Sequence, residues 1–151
     1  MENTTNEAAR ATLLQLAESL LKYYAVDQPP VPVEEMIKNP PAGLDIDPSQ
    51  TSVTMEHGLY SYEPRLAMAR LLCREISTNA AVKQLLQTQV LLGSYADVKY
   101  FARCLLMPSA WMHTLHGQGL SVEQIGEYLQ VPSHAVVTRM GELGLLATKT
   151  E

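Results

Sequence analysis

With 151 residues the chain has room for one compact core but not for two independent ones. Its 46% hydrophobic and 18% charged residues exclude a largely disordered chain. A net charge of −5 gives no electrostatic ground for nucleic-acid binding, so any partner is expected to be a protein. In chain order, apolar residues at Ala9, Leu13, Leu16, Leu20 and Leu21 predict an amphipathic helix over 7–24, with 1–6 flexible. Proline ends that helix, and Pro32 suits the first turn of a short second one over 33–38. Residues 43–47, 51–56 and 59–62 read as short strands of a small antiparallel sheet, with His57-Gly58 at a turn. Beyond Pro64 the pattern predicts helices over 65–76, 79–92, 94–107, 121–129 and 133–143. The expected fold class is therefore α+β, mainly helical, in one domain over 1–151.

Compositional signals narrow the location and the chemistry. The N-terminus has neither a basic start nor an apolar run, so no export signal is expected, and no stretch approaches the roughly 20 apolar residues needed to span a bilayer. Cys73 and Cys104 are too few for a disulfide framework or a cysteine-based zinc site and fall in apolar helical contexts, which fits a reduced cytoplasm. Neither has a recognisable activating base, and His113 with His116 lack a third ligand in any metal-site pattern. No cofactor is expected.

Three segments carry a resemblance: Val31-Pro32-Val33-Glu34-Glu35, the helix start Arg65-Leu66-Ala67-Met68-Ala69, and Phe101-Ala102-Arg103-Cys104-Leu105-Leu106-Met107-Pro108. With the closing segment from Leu120 to Leu145, their order resembles the ImmA/IrrE family of bacterial metallopeptidase domains. That likeness implies a zincin-like fold, with an early helix, a short sheet lining a cleft, an HExxH helix and a later helix that ends in Leu-Leu-Met-Pro. In HExxH, two neutral imidazoles at i and i+4 hold zinc and the adjacent Glu acts as base on the metal-bound water. The matching positions here are Arg70, Leu71 and Arg74, and the position of the third ligand carries Asp97. Arginine stays protonated and has no lone pair to donate, while leucine cannot act as a base. The resemblance thus implies a degenerate member, a pseudo-peptidase with neither catalytic residues nor metal, in which one of the two arginines pairs with Asp97. Asp97 reads equally well as a helix N-terminal acid beside Ser94.

The segment 119–146 reads helix, turn, helix, and in the family resembles a helix-turn-helix. Arg139 is its only Lys or Arg, against Glu123, Glu127 and Glu142, too few cations for a phosphate-binding face. It is expected to serve as packing or protein-contact surface. The expected function is a protein-binding or regulatory module, linked through the family resemblance to a phage-type repressor or other transcriptional regulator, or to a second copy of itself. Tyr60 and Tyr62 are the candidate partner contacts, because tyrosine gives large contact area at modest entropic cost. The alternatives are a DNA-binding regulator acting through the closing helices and a hydrolase with relocated catalytic residues.

Overall fold

The computed structural model describes residues 2–41, 44–47, 62–88 and 94–146, with backbone alone for 2–6. Eight helices occupy the described residues. Helix α1, Glu2–Tyr23, turns Leu13, Leu16, Ala17 and Leu20 inward, the one-face spacing that 3.6 residues per turn requires. Pro32 starts α2, Val33–Lys38, which buries Val33, Met36 and Ile37. Helix α3, Glu63–Ser77, has Pro64 in its first turn and buries Leu66, Met68, Ala69, Leu72, Cys73 and Ile76. Asn79 caps the short α4, Ala80–Leu85, by accepting the Val82 N–H at 3.0 Å.

Helix α5, Tyr95–Leu106, forms the centre of the fold. It begins at a Ser94/Asp97 capping box and packs most extensively against α1 and α3, with Phe101, Ala102, Leu105 and Leu106 in the core. Arg10 of α1 lies over the Tyr100 ring of α5 at 4.7 Å, a cation–π contact beside the apolar seam. Helices α6, Ser109–Gly117, α7, Val122–Leu129, and α8, Ser133–Glu142, complete the bundle. A Ser121/Gln124 capping box starts α7, which packs on α6 and α8; α8 in turn reaches α5. Among the described residues no helix is long and apolar enough to cross a membrane.

The expected α+β class is corrected: the described residues are helix and connecting chain, with no strand and no sheet. Of the three predicted strands, 44–47 is irregular chain, while 51–56 and 59–61 lie outside the described residues. Leu44 and Ile46 are placed by burial, with no strand pairing among the described residues. Ile46 is 6% exposed and Leu44 packs on the same helical core, so the apolar side chains reach an inward face with no ladder partner among the described residues. Period-two alternation reports which side faces the core; a strand also needs a neighbour for its backbone groups. The zincin-like architecture, which rests on that sheet, is withdrawn with it.

Helix boundaries differ in three further places, the first being α1, which begins at Glu2 where the residue pattern starts it at 7. The helix expected over 79–92 stops at Leu85, and Gln87 turns left-handed at φ 56°. Helix α6 is absent from the sequence-based expectation, because Pro108 reads as a stop. Proline also suits the entry to a helix, and Met112 and Leu115, three apart, bury one face of the new turn.

Candidate binding cleft

The residues at the HExxH-like positions point in different directions. Leu71 is 5% exposed and belongs to the core. Arg74 is exposed in the last turn of α3, whereas Arg70, half-buried, lines a cavity between α3, α5 and α8. Asp97 sits in the first turn of α5, where its carboxylate accepts the Ser94 N–H at 3.2 Å. Arg74 and Asp97 both act on the Cys73 thiol, the cation lowering its pKa and the anion raising it, but burial dominates and pushes it up to about 12. Burial likewise raises Cys104. Both thiols are buried and held neutral, the opposite of the thiolate that nucleophilic or metal chemistry needs. The zinc that an HExxH helix holds does not fit two guanidiniums and a core leucine. Among the described residues no three of His, Cys, Asp and Glu gather as metal ligands; His113 and His116 are exposed on α6, and His57 lies outside the described residues.

The cavity beside Arg70 has a volume of about 390 Å³. Its floor is apolar, made by Leu66, Ala102 and Ala135, all buried. Its walls carry Arg70 from α3 and Lys99 and Arg103 from α5. The spacing of 99 and 103 places both cations on one helix face. Lys99 Nζ stands 4.7 Å from the centre of the Tyr95 ring, and Tyr95 itself is 54% exposed. Arg103 is held from behind: its Nε and Nη2 donate to Glu142 Oε2 at 2.9 and 2.6 Å. On the rim, Glu63 pairs with His134 at the start of α8. Among the described residues, Arg70 and Lys99 have no carboxylate partner, so they give the cavity uncompensated positive charge in a protein whose acids outnumber its Lys and Arg by 16 to 11.

A second, acidic groove of about 360 Å³ lies against α7, lined by Tyr62, Glu123 and Glu127 and by the turn at 131–133. Tyr62 donates its hydroxyl to Glu127 Oε2 at 2.9 Å, and that bond is the chief reason its pKa is raised. Of the two tyrosines expected at a partner surface, Tyr62 therefore borders the acidic groove rather than the basic cavity. Tyr60 lies outside the described residues.

Two buried arginines tie helices together, a role that the sequence pattern does not assign to them. Arg65, 5% exposed, donates from Nη1 to both Glu34 oxygens at 2.6 and 2.7 Å, from Nη2 to Val31 O at 2.5 Å and from Nε to Gln130 O at 3.0 Å. It ties the entry of α2 and the end of α7 to α3. Arg139, 1% exposed, donates from Nε to Met107 O at 2.9 Å and has Nη1 3.6 Å from Glu142. Each arginine falls on the apolar stripe of its helix, Arg139 three residues beyond Val136, and that placement is the available signal.

The burial of Arg139 also decides what α8 presents to solvent. Its exposed positions are Ser133, His134, Val137, Thr138 and Gly141, with no Lys or Arg among them. Compared with models of protein families, with curated proteins and with solved structures, the chain matches none.

Proposed function

We propose that the chain is a binding or regulatory module without peptidase chemistry, which recognises a protein partner through the cleft between α3, α5 and α8. The observation that carries this reading is Arg70. At a position where the resembling family holds a metal ligand, a cation lines a preformed cleft, and the neighbouring Leu71 is absorbed into the core. A cavity of this size, with mostly polar and charged walls over an apolar floor, suits a polar ligand group. The ordered helices around it preorganise those groups.

The resemblance to ImmA/IrrE domains, carried by helix order, by the segment Phe101 to Pro108 and by the closing segment, supplies the class of partner: a phage-type repressor or similar regulator in the cytoplasm. A DNA-binding role is disfavoured by the charge on α8, because its single Arg faces the core. A relocated hydrolase is disfavoured by two thiols that burial keeps protonated.

The test fills the cleft. Thr138 is exposed on its wall, and Thr138→Trp adds bulk without altering charge. The partner recovered with the wild-type chain from its native host should be lost from this variant, while both remain folded by circular dichroism. Retention of the partner would move the binding surface elsewhere. Light scattering on the purified chain identifies the case in which the partner is a second copy. Elemental analysis should find no stoichiometric zinc, and peptide substrates should stay intact.

A further inference from the structure

The geometry points to an acidic ligand for this cleft: an Asp- or Glu-bearing segment of a partner protein, its carboxylate received by Arg70 and Lys99 and its aliphatic stem by the apolar floor. The inference rests on the binding reading above and adds the chemistry of what is bound. Arg103 already has Glu142 as counter-ion, with two hydrogen bonds to one carboxylate oxygen. Arg70 and Lys99, on adjacent packed helices, have no carboxylate partner among the described residues. A cation in a half-enclosed site gains more from an incoming anion than one in open water, because the local dielectric is lower. Guanidinium and ammonium lining one cavity offer one planar fork and one point charge, a pair that can hold a carboxylate from two directions.

The floor separates a side-chain carboxylate from a bare inorganic anion. Leu66, Ala102 and Ala135 are 5%, 1% and 3% exposed and offer nothing to a fully hydrated ion, but they match the methylenes of glutamate. Tyr95, 54% exposed at the mouth, can cover a neighbouring apolar residue of the same segment. A nucleic acid fits less well. Its continuous row of phosphates would extend past the cavity toward Glu63 on the rim and Glu123 and Glu127 in the adjoining groove, and the whole chain carries −5. The cavity accepts a single acidic group, not a polyanion.

The experiment uses the full chain and a fluorescein-labelled ten-residue peptide of alternating Glu and Ala, with its Gln-and-Ala counterpart as control. Fluorescence anisotropy at low salt should detect the Glu peptide and not the Gln peptide, and binding should fade as salt is raised. Arg70→Gln with Lys99→Gln should weaken binding roughly tenfold or more, as expected for loss of charge-assisted contacts. Arg70→Lys should keep most of it, and the melting temperature should be unchanged in each variant, since neither side chain is in the core. Displacement of the peptide by inorganic phosphate as readily as by a Glu peptide would overturn the role of the floor and reduce the site to a general anion site. Tighter binding of a 20-base-pair duplex would replace the acidic-segment assignment with nucleic acid. No Glu-peptide binding, or binding indifferent to the double substitution, would overturn it outright. The two readings separate cleanly: if Thr138→Trp loses the native partner and the double Gln variant keeps it, the cleft binds a protein but not through acidic groups, whereas indifference to both removes the cleft from either role.

Discussion

Arg65 and Arg70 are five residues apart on one helix and meet opposite surroundings. Around Arg65, four acceptor atoms from three residues in two segments converge on a buried guanidinium: the two Glu34 oxygens, Val31 O and Gln130 O. Arg70 instead lines an open cleft together with Lys99 and Arg103, with no carboxylate in ion-pair contact among the described residues. A buried charge is tolerated only when paired and hydrogen-bonded, so the first region is committed to holding the fold. The second keeps its charge available because solvent stabilises it until a ligand arrives. Residue type alone does not separate structure from recognition; the number of acceptors in reach does.

The comparison can be broken most severely at Arg65. Arg65→Met should lower the free energy of unfolding by about 3 kcal/mol or more, since it strands the Val31 and Gln130 carbonyls and the Glu34 carboxylate together. Urea denaturation measures this, and a loss below about 1 kcal/mol would show that the node is ornamental. Gly126→Ala strikes the same region through packing. A Cβ at Gly126 would meet the backbone oxygen of Val131 at 2.8 Å, so the α7–α8 turn, which also presents Gln130 O to Arg65, must shift. An overpacking cost of about 1–3 kcal/mol is expected. Thermal melts should show the two substitutions to be less than additive, because they disturb one connected region.

Alkali probes the core beneath both regions. Cys73 is held up at about 12 and Tyr24 at about 12, the latter chiefly by burial, from ordinary values of 9.0 and 10.0. In the unfolded chain these groups deprotonate at their ordinary values, while in the folded protein they stay neutral. The stability they contribute is therefore complete below pH 9 and is lost as pH rises from there toward 12. Denaturant midpoints should fall across that window, and iodoacetamide at pH 8 should leave both cysteines of the native protein unmodified. Rapid labelling there would contradict their burial. The smallest effect on stability belongs to Arg70→Gln, expected within about 0.5 kcal/mol of wild type, as for a surface change with no partner to strand. Its consequence should appear in binding alone, which is the contrast with Arg65 in its sharpest form.

Legibility in the sequence follows the range of the interactions. The stripe Leu13, Leu16 and Leu20, the Pro32 start of α2 and the Ser121/Gln124 box all rest on contacts within a few residues, and the residue pattern alone is enough to place each of them. The same holds for α3 and α5, whose apolar spacing is regular. Helix α6 escapes the pattern because a proline can stop one helix and open the next, and the choice depends on whether Met112 and Leu115 find a core to enter. For 43–47, the residue pattern suggests a strand, but Leu44 and Ile46 find helices to pack on instead.

The candidate site divides along the same line. By itself the sequence determined that the HExxH-like positions hold Arg70, Leu71 and Arg74, which donate no ligand and no base, and that the closing segment carries one cation. Only the tertiary structure decided where each of those side chains goes: Leu71 into the core, Arg74 outward, Arg70 into a cleft shared with Lys99 and Arg103, and Arg139 inward to Met107 O. Ligand chemistry is a property of one side chain and can be read from its name. Charge compensation is a property of neighbours distant in sequence, such as Arg103 with Glu142 or Arg65 with Glu34, and it exists only once the helices have packed.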